Sequence, residues 1–171
     1  MIEIVKHSIR FILFLLVQAF VFNQLEIELG IQLMVYPLFI FLLPIEINIF
    51  LLMVLAFSLG YGIDIMSNTY GLHASSALLI AYGRPYLFKL FEPRDGYLPG
   101  AELSIYTMGY AWFSTVFGII LAVHTLWFFF IEQFKFSEFW FILLKTLLGV
   151  PLSLGICILI QLLFLKKPGN R

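Results

Sequence analysis

The sequence predicts an all-α integral membrane protein, a single domain over residues 1–171 with six transmembrane helices. Three observations predict it. Of 171 residues, 62% are hydrophobic and 12% charged, against about 45–50% and about 25% in soluble domains. Mean hydropathy is +1.02, and a soluble core of this length has too little interior to hide that much apolar surface. The apolar runs are separated only by short polar segments, and the longest, 91–102, is too short to fold as a soluble domain. A formal net charge of zero lacks the basic footprint of a nucleic-acid binder.

A bilayer core about 30 Å thick takes about 20 apolar residues as a helix. The first span covers residues 4–22. Lys6 and Arg10 followed by an apolar run imitate a signal peptide, but NQLEIELG follows in place of a small-residue cleavage pattern, so the segment reads as an uncleaved membrane helix. Arg10 is expected to snorkel toward the headgroups. Gln18 is the only other strongly polar residue in that apolar run. After a polar break with Glu26 and Glu28, a short second span is expected over 31–43, kinked by Pro37 and ended by Pro44.

The third span is expected over 47–63 and the fourth over 72–87, the latter stopped by Arg84, Pro85 and Lys89. The fifth lies within 103–131, longer than a bilayer requires, so it tilts or begins in the interface. After the break at 132–138, the sixth covers 139–165 and contains Lys145 and Pro151.

Six spans put both termini on one side. With that side cytoplasmic, it holds Lys6, Arg10, Arg84, Lys89, Arg94, Lys166, Lys167 and Arg171, and the opposite side holds Lys135. This bias predicts cytoplasmic termini, an outward-facing turn at 64–71 and a cytoplasmic RDGY loop. Trp127 and Trp140 flank the outer loop, and Tyr106, Tyr110 and Trp112 lie toward the inner end of the fifth span, as interfacial aromatics do.

Catalysis needs a nucleophile, a base and a stabiliser brought together. His7, His73 and His124 are scattered, Cys157 is the single cysteine, and no metalloprotease, nucleophile-elbow, phosphate-loop or dithiol motif occurs. No catalytic residue, cofactor or metal is expected. Small residues spaced by four, at Ala56 and Gly60, Ala77 and Ala81, Ser114, Gly118 and Ala122, and Gly149 and Ser153, suit close helix packing.

The densest polar cluster is Asp64, Ser67, Asn68 and Thr69, with glycines at 60, 62 and 71. An ionised Asp at mid-bilayer costs about 2.5–3.5 kcal/mol, so Asp64 needs a partner or the interface. Its carboxylate is expected to accept N–H groups of 66–68, with Ser67 or Thr69 capping the next helix and Gly71 relaxing the backbone. A docking surface for another membrane protein is the other reading, and the two are compatible. Arg84 is expected to snorkel, or to pair with Glu46 or Asp95. Lys145 is expected to snorkel toward Glu138, or to line a polar cavity.

The segment GYGIDIMSNTYGLHASSALLIAYGRP resembles the central segment of the rod shape-determining protein MreD family, through Gly60, Asp64, Ser67 and Gly71. Length, six spans, inside termini and the short second span before a proline fit as well. Where many members have a glycine after the serine, this chain has Asn68, which tolerates the same left-handed backbone. The resemblance implies a fold like the substrate-binding subunits of energy-coupling-factor transporters. It implies a non-enzymatic scaffold of the bacterial inner membrane, acting in cell shape and lateral peptidoglycan synthesis. MreC is the implied direct partner, with MreB filaments, a membrane glycosyltransferase and a transpeptidase reached through the wider complex, and membrane lipids around it. Only the signature turn carries over as a site, with His73 and Arg84 beside it as docking candidates. The alternative is a vitamin-capturing transporter subunit. That reading wants an A-x-x-x-A pattern on the first helix, where only Ala19 is present.

Overall fold

A backbone in lipid has to satisfy its own hydrogen bonds, which makes helices of long apolar runs. The computed structural model describes residues 2–25, 30–98, 100, 102–134 and 138–165, and its regular elements are all helices. They are α1 (Ile2–Phe20), a 3-10 turn (Phe22–Gln24), α2 (Pro37–Leu42), α3 (Ile49–Ser67), α4 (Leu72–Leu90), α5 (Ile105–Met108), α6 (Tyr110–Gln133) and α7 (Phe139–Phe164). Glu26, Glu28, Lys135, Lys166, Lys167 and Arg171 of the charge pattern lie outside the described residues.

Among the described residues, four segments are long and apolar enough to cross a membrane: Ile4–Gln24, Ile49–Ser67, Tyr110–Gln133 and Phe139–Phe164. Their outward faces are apolar, with Ile9, Ile12 and Phe20 exposed on α1 and Leu147, Leu159 and Leu163 exposed on α7. A surface of this kind suits hydrocarbon. Helix α4 is as long as α3, 19 residues each, and each extends roughly 28 Å at about 1.5 Å per residue. It is more polar than α3 and packs between α3 and α6.

The second span differs from expectation. Residues 32–35 are not helical, and α2 has only six residues, roughly 9 Å of helix. Pro37 does not kink a helix here; it starts one. It occupies the first turn, where its missing N–H would have had no intrahelical acceptor. Every residue of α2 is buried, and Phe41 meets Phe88, Phe113 and Phe117 at centroid distances of 5.3, 5.3 and 5.0 Å.

Arg84-Pro85 does not end the fourth helix. Pro85 stands inside α4, which continues to Leu90 and closes with the Phe91 N–H on Leu87 O at 3.0 Å. The long fifth segment resolves into α5 and α6, divided at Gly109, whose φ of +83° suits a residue without a Cβ. The helices form a row in the order α1, α3, α4, α6, α7, with α2 set among α1, α3, α4 and α6.

Candidate functional site

The signature turn is a built unit. Gly60 lets the α3 backbone lie against α4: a Cβ there would fall 2.6 Å from both Ala74 Cα and His73 O. One turn later, the buried Asp64 carboxylate faces the first amides of α4. Oδ1 accepts the His73 N–H at 3.0 Å, and Oδ2 accepts the Ala74 N–H at 2.9 Å. The Thr69 hydroxyl donates to Oδ1 at 2.5 Å. The expected local bonds to 66–68 are thus replaced by a cap on the following helix. The reason is that Gly71 occupies the N-cap position with φ +91° and has no side chain to offer. Neither Ser67 nor Thr69 caps α4 directly. Asn68 is left-handed, with φ 55° and ψ 41°, as the turn requires.

A second set of polar groups comes from α1 and its 3-10 turn. Asn23 donates through Nδ2 to Ser67 Oγ at 2.8 Å and meets His73 Nε2 at 3.0 Å. Its Oδ1 accepts from Gln18 Nε2 at 2.7 Å. Gln18, wholly buried, also repairs the broken second segment. It donates to Leu33 O at 2.9 Å and accepts from the N–H groups of Val35 and Tyr36 at 2.8 and 3.2 Å. From α7, Ser153 Oγ accepts the Met34 N–H at 3.0 Å. Non-helical backbone at membrane depth needs such protein partners.

Tyr36 joins this layer to α4 and α6. Its hydroxyl donates to His73 O at 3.0 Å and meets His124 Nε2 at 2.5 Å. A hydroxyl has one proton, so the imidazole supplies the donor in the second contact. His73 and His124 therefore share Tyr36 and do not converge as side chains on Asp64. Among the described residues, no three His, Cys, Asp or Glu form a metal-ligand group.

Arg84 lies at the other end of the core. It is 2% exposed and neither snorkels nor pairs with Glu46 or Asp95. Its guanidinium donates to Phe41 O at 3.2 Å, to Leu43 O, and to Pro44 O at 3.3 and 3.4 Å. These are carbonyls at the C-terminal end of α2, where a helix leaves acceptors unpaired. The positive charge also suits the helix dipole there, and Phe88 covers the guanidinium at 4.6 Å.

Arg10 binds protein and does not reach freely toward headgroups. It grips Glu102 through both terminal nitrogens at 2.9 and 3.2 Å, and Lys6 bonds the same carboxylate. Burial raises the Glu102 pKa, but the bonds from Arg10 and Lys6 outweigh it and leave the carboxyl below its ordinary range. The Gly100 N–H, at 2.9 Å, holds the exposed Glu46 carboxyl below its usual value. Lys145 is buried beneath the Phe129 and Phe141 rings, 3.9 Å from Glu132. Glu138 is not its partner, because the side chain turns into the bundle.

Of the sequence candidates, Gly60, Asp64, Ser67, Gly71 and His73 come together in one unit, and Arg84 lies apart from it at the base of α2. Gln18, Asn23, Tyr36 and Ser153 were not among the candidates. For Gln18, Tyr36 and Ser153 the signal was a polar side chain inside an apolar run, while Asn23 opens the polar break after the first run. Gln18 showed that signal most clearly, but nothing in the sequence named the backbone it serves.

Comparison with family models, characterised proteins and solved structures finds no match to this chain.

Proposed function

We propose that this chain is a non-enzymatic membrane scaffold of the bacterial cell-elongation complex, of the MreD type, acting in cell shape and lateral peptidoglycan synthesis. One observation carries the reading. The residues of the resemblance, Gly60, Asp64, Ser67 and Gly71, all serve a single helix junction. Gly60 admits the neighbouring backbone, Asp64 caps it, Ser67 ties it through Asn23 to the 3-10 turn that follows α1, and Gly71 supplies the left-handed step. A junction held this firmly presents a fixed surface, which is what a scaffold needs.

In this reading the chain crosses the bacterial inner membrane six times. The crossings are α1, the broken 31–43 segment, α3, α4, α5 with α6, and α7, arranged like the substrate-binding subunits of energy-coupling-factor transporters. The termini lie in the cytoplasm, with Lys6, Arg10, Lys89 and Arg94, and the Asp64–Gly71 junction lies outside. The direct partner is MreC, and MreB filaments and the peptidoglycan synthases are reached through the wider complex.

Crosslinking and co-purification from native membranes tests this. Capture of MreC is expected; its absence under conditions that retain the bundle would reject the scaffold reading. Tag accessibility should find residues 64–71 on the periplasmic side. Reproducible thermal stabilisation by a micromolar vitamin would replace the scaffold with a transporter subunit.

A further inference from the structure

The two ends of the helix row, α1 and α7, leave a groove between them floored by α2. Its volume is about 360 Å3, and Val17, Leu38, Ile156 and Ile160 are among the residues that line it. The lining is apolar except for Arg10 and Gln161, which are both bonded to the 102–105 segment, Arg10 through Glu102 and Gln161 through Ile105. Both bring hydrogen-bond donors. Gln161 is wholly buried and its Oε1 accepts the Ile105 N–H at 3.0 Å, while its Nε2 has no partner among the described residues. Leaving a buried amide donor unsatisfied costs about 1–3 kcal/mol. Arg10 spends its two terminal nitrogens on Glu102. Lys6 bonds the same carboxylate, so Arg10 stands at the groove beside a second cation.

We propose that this groove holds one acyl chain of an anionic glycerophospholipid, with its ester and phosphate oxygens at Arg10 and Gln161. Chemistry selects this occupant. An acyl chain matches the apolar walls, and the ester and phosphate oxygens at its end are acceptors where the groove offers the donors of Arg10 and Gln161. The Gln161 amide then gains the acceptor it lacks. This inference does not depend on the scaffold reading.

The test uses the full chain in nanodiscs containing phosphatidylglycerol with a photoreactive group midway along one acyl chain, compared with phosphatidylcholine of the same chains. Label is expected on α1 and α7 at the groove walls, with phosphatidylglycerol favoured about fivefold, the effect of one cation at an anionic lipid. Gln161→Glu keeps an acceptor for Ile105, removes the donor, and should abolish that preference. Ile160→Trp fills the groove and should lower labelling by either lipid. The headgroup comparison uses the unaltered chain and stands even if a variant fails to fold. Label spread evenly over the outward faces of α3 and α6 would overturn the proposal, as would equal labelling by the two lipids. Crosslinks from a second copy or another protein into the groove, in place of lipid, would also overturn it.

Discussion

The carboxylate of Asp64 accepts the backbone N–H of Ala74 at 2.9 Å, so the end of α3 caps the beginning of α4. An N-cap side chain normally belongs to the residue just before its own helix. Here that position is Gly71, and the cap comes from the preceding helix, brought close enough by Gly60. The turn, the cap and the close approach form one mechanical unit.

Asp64→Ala leaves the His73 and Ala74 amides without their acceptor in a buried place. The expected loss is about 1–3 kcal/mol for each unsatisfied group, read as a lower melting temperature in detergent. Asp64→Asn retains one acceptor oxygen and should fall between the two. Identical melting of Asp64→Ala and the parent would show that the cap does not stabilise the junction.

Two glycines on similar four-residue stripes should behave differently. A Cβ at Gly60 meets α4 backbone at 2.6 Å, while a Cβ at Gly118 meets only Leu154 Cδ2 at 3.9 Å. Gly60→Ala must therefore push helices apart, at about 1–3 kcal/mol, and Gly118→Ala should be close to neutral. Equal effects at the two sites, measured by thermal unfolding, would count against close approach at Gly60.

Gln18→Leu leaves the Val35 and Tyr36 amides and the Leu33 carbonyl without Gln18. At about 1–3 kcal/mol per buried group, it should be among the most damaging single changes in α1. Faster hydrogen exchange confined to residues 33–36 is the specific sign. Arg84→Lys keeps the charge but loses the planar fork that spans several carbonyls. It should loosen the 41–44 region without affecting 33–36.

The Glu102 carboxyl is held below its ordinary 4.5 in the folded chain. A depressed folded-state pKa stabilises above the unfolded value, and that stability is lost as pH falls through the folded pKa. The contribution is therefore complete at neutrality and disappears below 4.5. On acidification from neutrality, the parent should lose more thermal stability than Glu102→Gln.

The junction at 60–71 was legible in the sequence because its chemistry is local: clustered polar residues, a left-handed Asn68 and flanking glycines. Its wiring was not. Asp64 reaches nine and ten residues ahead, to His73 and Ala74, and no local rule for turns anticipates that cap. The long helices followed from hydropathy. The second segment did not, because a run of apolar residues has the same composition whether it is a continuous helix or an extended stretch leading into a short one. What distinguishes them is the set of polar partners, Gln18, Arg84 and Ser153, and these lie far away in the chain. Arg84 and Lys145 were conspicuous as charges in apolar surroundings, but the backbone carbonyls around Arg84 and the aromatic rings over Lys145 carry no charge pattern to read, and of several nearby carboxylates the sequence did not single out Glu132 for Lys145.

The stretch from Leu33 to Pro44 depends on groups the ribosome makes at very different times. Gln18 is synthesised before it, Arg84 well after it, and Ser153 only within α7, the last described helix. During translation its exposed amides and carbonyls have no acceptable home in hydrocarbon, so it should wait at the translocon or the bilayer rim until α7 has been made. Nascent chains arrested before residue 153 should leave this stretch open to protease, and chains released after α7 should protect it.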